Sequence, residues 1–268
     1  MKSTPQEKQE PPRPAEQNAT AEQAYREMIQ QVARAMAGNN VEGAVAYLSP
    51  EFTARHVELF VDGNFEKRID VLLRLMPLVS EDEDFEDFES LAEEFADTVP
   101  VTAYEGSSEE CDAMLAWMQE TLDLTPAQQD TVNCQRARYA VEFLARRKRA
   151  EHIRFQEQVS MASSLARDLP QRESLRLVVN PIHVWTEFVS RKHLEATSAV
   201  PRDVLTWADD QEVRTSTFEP IGRAYFESLL ACQPCSFAEW TEMISDADPD
   251  ELLEFIGTLV SLRLVALL

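Results

Sequence analysis

Apolar residues recur every three or four positions through much of the first 170 residues, which is the period of one face of an α-helix. The three clearest stripes are Phe85/Phe88/Ala92/Phe95, Met114/Leu115/Met118 and Val132/Tyr139/Phe143. This pattern predicts a bundle of about five helices over residues 21–170. The last helix is expected to run from Pro126 towards Leu169.

Signals for helix ends divide this region further. Ser49-Pro50 is typical of an N-cap followed by a proline at the first helical position. Three further segments match the capping box, in which the N-cap and N3 side chains each accept a hydrogen bond from the other residue's backbone N–H: Ser80-x-x-Glu83, Ser107-x-x-Glu110 and Thr125-Pro-x-Gln128. Breaks between helices are predicted at Pro50, Pro77, Pro100, Pro126 and Pro170.

The pattern changes after Pro170. SLRLVVNPIHVWTEFVS combines β-branched and aromatic residues in rough alternation and is interrupted at Asn180-Pro181, a turn signal. It predicts two strands of a small sheet. A third strand is expected at EVRTSTF, Glu212 to Phe218, with Trp207-Ala-Asp-Asp in the loop before it.

The last fifty residues predict a compact module of three helices and a strand. The first helix, PIGRAYFESLLAC, begins at Pro220. The second, FAEWTEMI, is capped by Ser236 with Glu239 at N3, and the third, PDELLEFIGTLVSL, has Asp248 as N-cap and Pro249 at N1. RLVALL is then expected as a closing strand, which together with the preceding strand is typical of a winged helix-turn-helix with little or no wing.

These elements predict a fold that is mainly α with a small β-sheet, of the α+β class. Residues 1–20 are polar and proline-rich and are expected to be a disordered tail. Residues 21–170 are expected to form the N-terminal helical bundle. Residues 171–268 are expected to form the small sheet and a C-terminal, winged helix-turn-helix-like peptide-recognition domain.

Charge changes the range of partners. The 268 residues carry a formal net charge of −23, which disfavours nucleic acid and anionic membranes and favours a cationic peptide or a basic protein patch. The N-terminus has no apolar signal region, and no apolar run approaches the ~20 residues that span a bilayer. Four cysteines are too few for a disulfide scaffold, so a cytoplasmic location is expected.

Cys232-Gln-Pro-Cys235 is the only Cys-x-x-Cys segment. A structural zinc site needs two further ligands, and neither Cys111 nor Cys134 nor a histidine lies at ligand spacing. The segment is better explained as a turn, with Cys235 preceding the Ser236 cap and pairing with Trp240 as a hydrophobic staple. A redox role remains an alternative, because Cys235 precedes a helix.

Motifs for chemistry are missing elsewhere. With 6 glycines the chain has neither a Walker A nor a dinucleotide-binding fingerprint, and no G-x-S-x-G or HExxH segment occurs. EDEDFEDFESLAEEF is better explained as a solvated helix face than as an acid/base pair. The chain is therefore predicted to be a binding subunit without its own active site or cofactor.

Two charged surfaces and the terminal module are candidate docking sites. The acidic face of residues 81–97 suits a basic partner. A basic cluster suits an acidic partner, an anionic peptide or the chain's own acidic helix, unless its members pair within the helix: Arg136, Arg138, Arg146, Arg147, Lys148, Arg149 and Arg154. The third helix of the module carries Asp250, Glu251 and Glu254, which disfavours DNA binding and favours a peptide added to a sheet edge beside that helix.

The order of elements resembles the partner subunits of multinuclear non-haem iron oxidases that modify ribosomally made peptides, as in methanobactin and thiaglutamate biosynthesis. The resemblance covers roughly residues 85–268. A glycine is usual in the turn where this chain has Cys-Gln-Pro-Cys. The matching segments are DFESLAEEFADTVP, CDAMLAWMQETLDLTPAQQDTVNCQRARYAVE, SLRLVVNPIHVWTEF, FESLLACQPCSFAEWTEMI and LLEFIGTLVSLRLVAL.

The resemblance implies a heterodimer in natural-product biosynthesis. The partner would be a TIM-barrel oxidoreductase subunit that holds the iron, and this chain would bind the leader of a precursor peptide and present its cysteine for oxidation. The candidate partner-binding residues are Arg138, Arg146, Arg147 and Arg149. The candidate peptide-binding residues of the C-terminal peptide-recognition domain are Arg176, Val178, His183, Trp185, Leu252, Phe255, Ile256 and Leu259. Most of the last four, which lie on the third helix, are alternatively expected to be core residues of the module.

Two other classes remain open. A winged-helix transcriptional regulator with a helical sensor domain would share the terminal module. A self-sufficient metal enzyme would use His183, His193 and the cysteines.

Overall fold

The computed structural model describes residues 54–99, 107–162, 169, 174–195, 198–210, 212–244 and 247–268, with residues 23, 27–29, 32 and 45. The expected tail, the cap at Ser49-Pro50 and the breaks at Pro50, Pro100 and Pro170 lie outside these residues. The described part is mainly helical with small antiparallel sheets, so the predicted α+β class is confirmed. No helix in it is long and apolar enough to cross a bilayer.

Long helices dominate the first half of the described residues, and the second half has four short strands, three helices and a last strand, in that order. The helices are α1 (Ala54–Leu75), α2 (Pro77–Ser80), α3 (Phe88–Thr98), α4 (Ser107–Thr121), α5 (Pro126–Arg147), α6 (Arg149–Ala162), α7 (Pro220–Cys232), α8 (Phe237–Met243) and α9 (Pro249–Ser261). The strands are β1 (Leu177–Val179), β2 (His183–Phe188), β3 (Arg202–Ala208), β4 (Val213–Phe218) and β5 (Val265–Leu267).

The chain divides into two compact units. The first comprises Met1–Arg74 and Glu89–Glu110, and the second comprises Leu75–Phe88 and Cys111–Leu268. This division does not coincide with the boundary expected near residue 170. In the second unit α5 packs directly on the sheet, where Val141 forms a buried cluster with Ile182 and Ala208.

The predicted helix stripes are buried, apart from Phe143, which is half-buried. The capping box at Thr125 and Gln128 is present. The box expected at Ser80 is wrong, because α2 ends at Ser80 and α3 begins only at Phe88. The long helix expected from Pro126 towards Leu169 is divided at Lys148, whose carbonyl accepts from the amides of Glu151 and His152.

The strands form two sheets rather than one. β2, β3 and β4 make an antiparallel sheet in that order, in which Trp185, Leu205 and Ser216 lie side by side. β1 pairs instead with β5, antiparallel. β3 was not predicted: Trp207, expected in a loop, is a buried residue of this central strand.

The terminal helices follow the predicted boundaries closely. Ser236 and Glu239 form the capping box of α8, and the Asp248 side chain accepts from the Asp250 amide at the start of α9. The three helices pack on one face of the β2–β3–β4 sheet, where Leu205, Trp207 and Phe218 share one core with residues of α7, α8 and α9. The sheet is therefore covered by α5 on one face and by the helical module on the other.

Candidate functional site

The outer edge of β4 is an open strand edge in the described part of the chain. At the turn between β3 and β4 the Asp209 amide donates to the Glu212 carbonyl at 2.8 Å. Hydrogen-bonded and non-hydrogen-bonded pairs alternate along an antiparallel ladder. Because Asp209 and Glu212 form a hydrogen-bonded pair, the backbone groups of Arg214 and Ser216 also bond to β3. Those of Val213, Thr215 and Thr217 point away from it. We call these three residues the β4 edge.

The β2–β3 ladder supports this assignment independently. There the Ala208 amide donates to the Ile182 carbonyl at 3.1 Å. Because bonded and non-bonded pairs alternate, the backbone groups of the even-numbered residues of β3 bond to β2. The backbone groups of the odd-numbered residues bond to β4. The two ladders agree, and the β4 edge retains free backbone donors and acceptors.

Side chains of helix α9 and of the residues just after it contact β4 and the turn before it. Near its first end, the buried Asp209 carboxylate contacts Arg263, which follows α9, and Arg214 of β4, each at 2.9 Å. At its other end, the Phe218 ring meets Phe255 of α9 edge-to-face at 6.5 Å. The strand that carries the β4 edge is therefore contacted by a helix with a half-buried aromatic side chain.

Three of the predicted peptide-binding residues on α9 are core residues. Leu252, Ile256 and Leu259 are at most 1% exposed, so the structure places them in the packed interior and not on a surface that a peptide contacts. Phe255 is half-buried and packs on the rings of Tyr225 and Trp240 as well as Phe218. It is the one member of this set that borders the surface.

Arg176 and Trp185 occupy separate places. Arg176 forms an ion pair with Glu239, the N3 residue of α8. The Trp185 ring lies 4.9 Å below the Arg223 guanidinium carbon and meets Phe218 and Phe226 edge-to-face. Both residues therefore hold the module together, and neither lies at the β4 edge.

Val178 and His183, the remaining two, are brought together in a groove of about 660 Å³, which we call the elbow groove because it lies at the junction of α5 and α6. Its floor is apolar and its rim carries polar and charged side chains. The apolar lining is Leu144, Phe155, Val178, Val179, Pro181 and Leu230, and the polar lining is Lys148, Glu151, Arg154, Gln158, His183 and Gln233.

His183 is neutral in this groove at physiological pH. Burial lowers its pKa, with the Lys148 charge acting in the same direction, against opposing contributions from Asn180 and Glu227. Its Nδ1 lies 2.6 Å from the Asn180 carbonyl oxygen, which can only accept. In the neutral ring Nδ1 therefore carries the proton and Nε2 is an acceptor.

The predicted partner-binding arginines are not one uniform surface. Arg146 forms an i,i+4 pair with Glu142 at 3.8 Å, and Arg138 is half-buried. Arg147 and Arg149 are exposed and have no carboxylate partner among the described residues. They flank Lys148, so the unpaired positive charge gathers at the elbow groove.

The Cys-x-x-Cys segment is a structural turn that holds β1. The Leu177 amide donates to the Cys235 carbonyl, and the Val179 amide donates to the Gln233 side chain, both at 2.7 Å. None of the four cysteines forms a disulfide, and Cys235 and its staple partner Trp240 are buried. Burial, assisted by the hydrogen bond and charge of Cys232, raises the pKa of Cys235 to about 12.

We expect the Cys235 thiol to be unreactive at pH 8. A pKa near 12 leaves about one thiol in 10,000 ionised, against roughly a quarter for an ordinary cysteine, so alkylation should slow roughly 2,000-fold. A short iodoacetamide pulse in buffer and in urea, read by fragmentation mass spectrometry, separates Cys235 from Cys232. Equal labelling of Cys235 in both conditions would contradict this expectation.

Within the described residues no group of three or more histidine, cysteine, aspartate or glutamate side chains is placed to hold a metal ion. The chain matches no family model, no curated protein and no solved structure. Its class is therefore set by the fold and the surfaces above: an α+β protein with an open strand edge beside a helix and a separate groove with a basic rim.

Proposed function

We propose that the chain is the non-catalytic, peptide-binding subunit of an oxidoreductase heterodimer. In this proposal it binds the leader of a ribosomally made precursor peptide and presents the peptide's cysteine to a TIM-barrel partner that holds the iron. The observation that carries the proposal is the β4 edge. It offers free backbone groups on a strand that contacts α9 through Phe218 and Phe255, and strand-addition peptide binders extend an exposed sheet edge of this kind.

The leader is expected to extend the β2–β3–β4 sheet by one strand. Backbone hydrogen bonds to Val213, Thr215 and Thr217 would supply sequence-independent affinity, and alternate side chains would contact Phe255 and the exposed part of α9. Because Asp250, Glu251 and Glu254 are exposed there, a leader with basic residues at that position is favoured.

Anchoring the leader explains how a subunit without chemistry of its own promotes a reaction. Once the leader is bound, the core cysteine meets the partner's iron site as an intramolecular event, with effective concentrations that reach the ~mM range for short flexible linkers. The exposed carboxylates of α9 weigh against the transcriptional regulator, since a recognition helix meets DNA phosphates with basic side chains.

Substitution of Thr215 by proline tests the β4 edge directly. Proline removes an amide that points away from β3, so the ladder within the sheet is kept, and proline is tolerated at such edge positions. We expect Thr215→Pro to weaken binding of the leader encoded beside this chain's gene at least about tenfold, the equivalent of one lost hydrogen bond. Fluorescence anisotropy with the labelled leader measures it.

Thr215→Val is the matched control. It loses the same side-chain contact, in which the Thr215 Oγ1 lies 3.3 Å from the Thr206 Oγ1, but it retains the amide and should bind the leader normally. If Thr215→Pro binds the leader with wild-type affinity, the leader does not bind at the β4 edge. Failure of the wild-type chain to bind either the leader or the barrel protein encoded nearby would overturn the proposed function itself.

A further inference from the structure

We propose that the elbow groove is a second binding site and that it takes an acidic, extended segment of a partner polypeptide. The groove shares no residue with the β4 edge, so this proposal does not rest on the proposed function. Its occupant is defined by chemistry: carboxylate side chains for the basic rim, alternating with apolar side chains for the floor.

The charge of the rim is the first reason. In a chain of net charge −23, cations are expected to be neutralised locally, as Arg136 is by Asp112 at 3.0 Å. Lys148 and Arg154 have no carboxylate within ion-pair distance among the described residues, and the Arg154 Nε donates only to its own helix, to the Ala150 carbonyl. These two cations are available to an anionic ligand.

The groove also concentrates this charge at one place. Arg147 and Arg149 flank Lys148 in the chain and are exposed. Among the described lining residues Glu151 is the one carboxylate, and the neutral His183 adds an acceptor and no charge. Carboxylates approaching an otherwise acidic molecule are therefore attracted here.

The floor indicates a polypeptide as the source of the carboxylates. Leu144, Phe155, Val178 and Leu230 form an apolar surface that a free inorganic anion leaves unused. A volume of about 660 Å³ accommodates several side chains of an extended segment. A nucleic acid carries a phosphate charge every ~1.7 Å of duplex and needs a long basic surface, which the net charge of the chain opposes.

Strand β1, which contributes Val178 and Val179 to the groove, is held in place by hydrogen bonds. β1 is hydrogen-bonded on both sides, to β5 and to the segment around Gln233 and Cys235. It therefore has no free edge to offer, and recognition in this groove is by side chains. This distinguishes the elbow groove from the β4 edge, where the backbone is free.

The test uses the full chain and a synthetic peptide of alternating glutamate and leucine, with a lysine–leucine peptide as the opposite-charge probe. Binding is measured by isothermal titration at two salt concentrations. We expect the glutamate–leucine peptide to bind, to weaken as salt rises, and to lose at least tenfold in affinity in the double variant Lys148→Glu/Arg154→Glu. The same variant should gain affinity for the lysine–leucine peptide.

The matched control is Lys67→Glu/Arg191→Glu, which makes the same change in net charge at two exposed residues outside the groove. It should bind the glutamate–leucine peptide as the wild type does, and thermal unfolding confirms that both variants fold. Equal losses in the two double variants, or no binding by the wild type, would overturn the proposal. So would tighter binding of single-stranded DNA or phosphatidylserine vesicles through Lys148 and Arg154.

Discussion

Replacement of Arg68 by methionine is expected to destabilise the first unit by about 3–5 kcal/mol, the usual cost of removing one partner of a buried ion pair. The Arg68 side chain is 8% exposed and pairs with Glu110, which is 10% exposed. Its two terminal nitrogens donate to the carbonyls of Ala96 and Val99, both at 2.7 Å. These are carbonyls at the end of α3 that have no partner within the helix.

Arg68 thus joins three helices, because it lies on α1, caps α3 and neutralises a carboxylate in the first turn of α4. The guanidinium also lies 5.4 Å from the centre of the Phe95 ring. Methionine preserves most of the side-chain volume, so the loss reports the charge and its hydrogen bonds rather than a cavity.

A double-mutant cycle gives the decisive comparison. Glu110→Leu in the Arg68→Met background removes the stranded carboxylate, so the double variant should be more stable than the sum of the two single losses predicts. Urea denaturation followed by circular dichroism measures each variant. Strict additivity would show that the two side chains do not interact.

The sequence predicted the terminal helices well because local chemistry determines their ends. Ser236 and Glu239 cap α8 through their own side chains, and Asp248 with Pro249 begins α9. Each signal involves residues only two or three positions apart. Such contacts need no tertiary partner, so they can be identified in the sequence.

β3 escaped prediction because it is the central strand. Val204 to Ala208 are all buried, since α5 covers one face of the sheet and the helical module covers the other. A strand buried on both faces does not alternate between polar and apolar residues. Sequence alternation therefore located β4, whose edge is half exposed, and missed the strand that it pairs with.

The errors around residues 80 and 148 have a different cause. Asp82 accepts the Asp84 amide and the Thr131 hydroxyl and pairs with Lys192, so residues 81–87 are held as a turn by distant groups. Burial opposes ionisation of Asp82, yet these hydrogen bonds and the Lys192 charge lower its pKa. Neither proline nor glycine marks the break at Lys148, which is why the elbow groove could not be predicted.

The candidate site was predicted in its parts and not in its arrangement. The sequence identified the strand Glu212 to Phe218 and the basic cluster, but an edge position depends on the order of strands in the sheet. Val178 and His183 meet Lys148 only because β1, β2 and the end of α5 converge. Non-local pairing of this kind leaves no periodic signal in one sequence.

Replacement of Asp130 by alanine is expected to cost about 2–4 kcal/mol in the second unit. This fully buried carboxylate of α5 accepts the Val189 and Ser190 amides at 2.7 and 2.8 Å and the Ser190 hydroxyl at 2.6 Å. Alanine leaves these donors without their acceptor, and a hydrogen bond to a charged group contributes about 1.5–3 kcal/mol net of its exchange with water.

Asp130 connects α5 to the loop that follows β2, and so it helps to hold the sheet against the helix that leads into the elbow groove. Asp130→Asn should show a smaller loss, since one amide oxygen still accepts while its NH₂ group faces donors. Asp123→Ala, at an exposed residue, is the control for loss of one negative charge. Urea denaturation measures the free energy of unfolding of each variant. If the values for Asp130→Ala and this control differ by less than about 0.5 kcal/mol, a difference typical of surface substitutions, the loop is held by its other contacts.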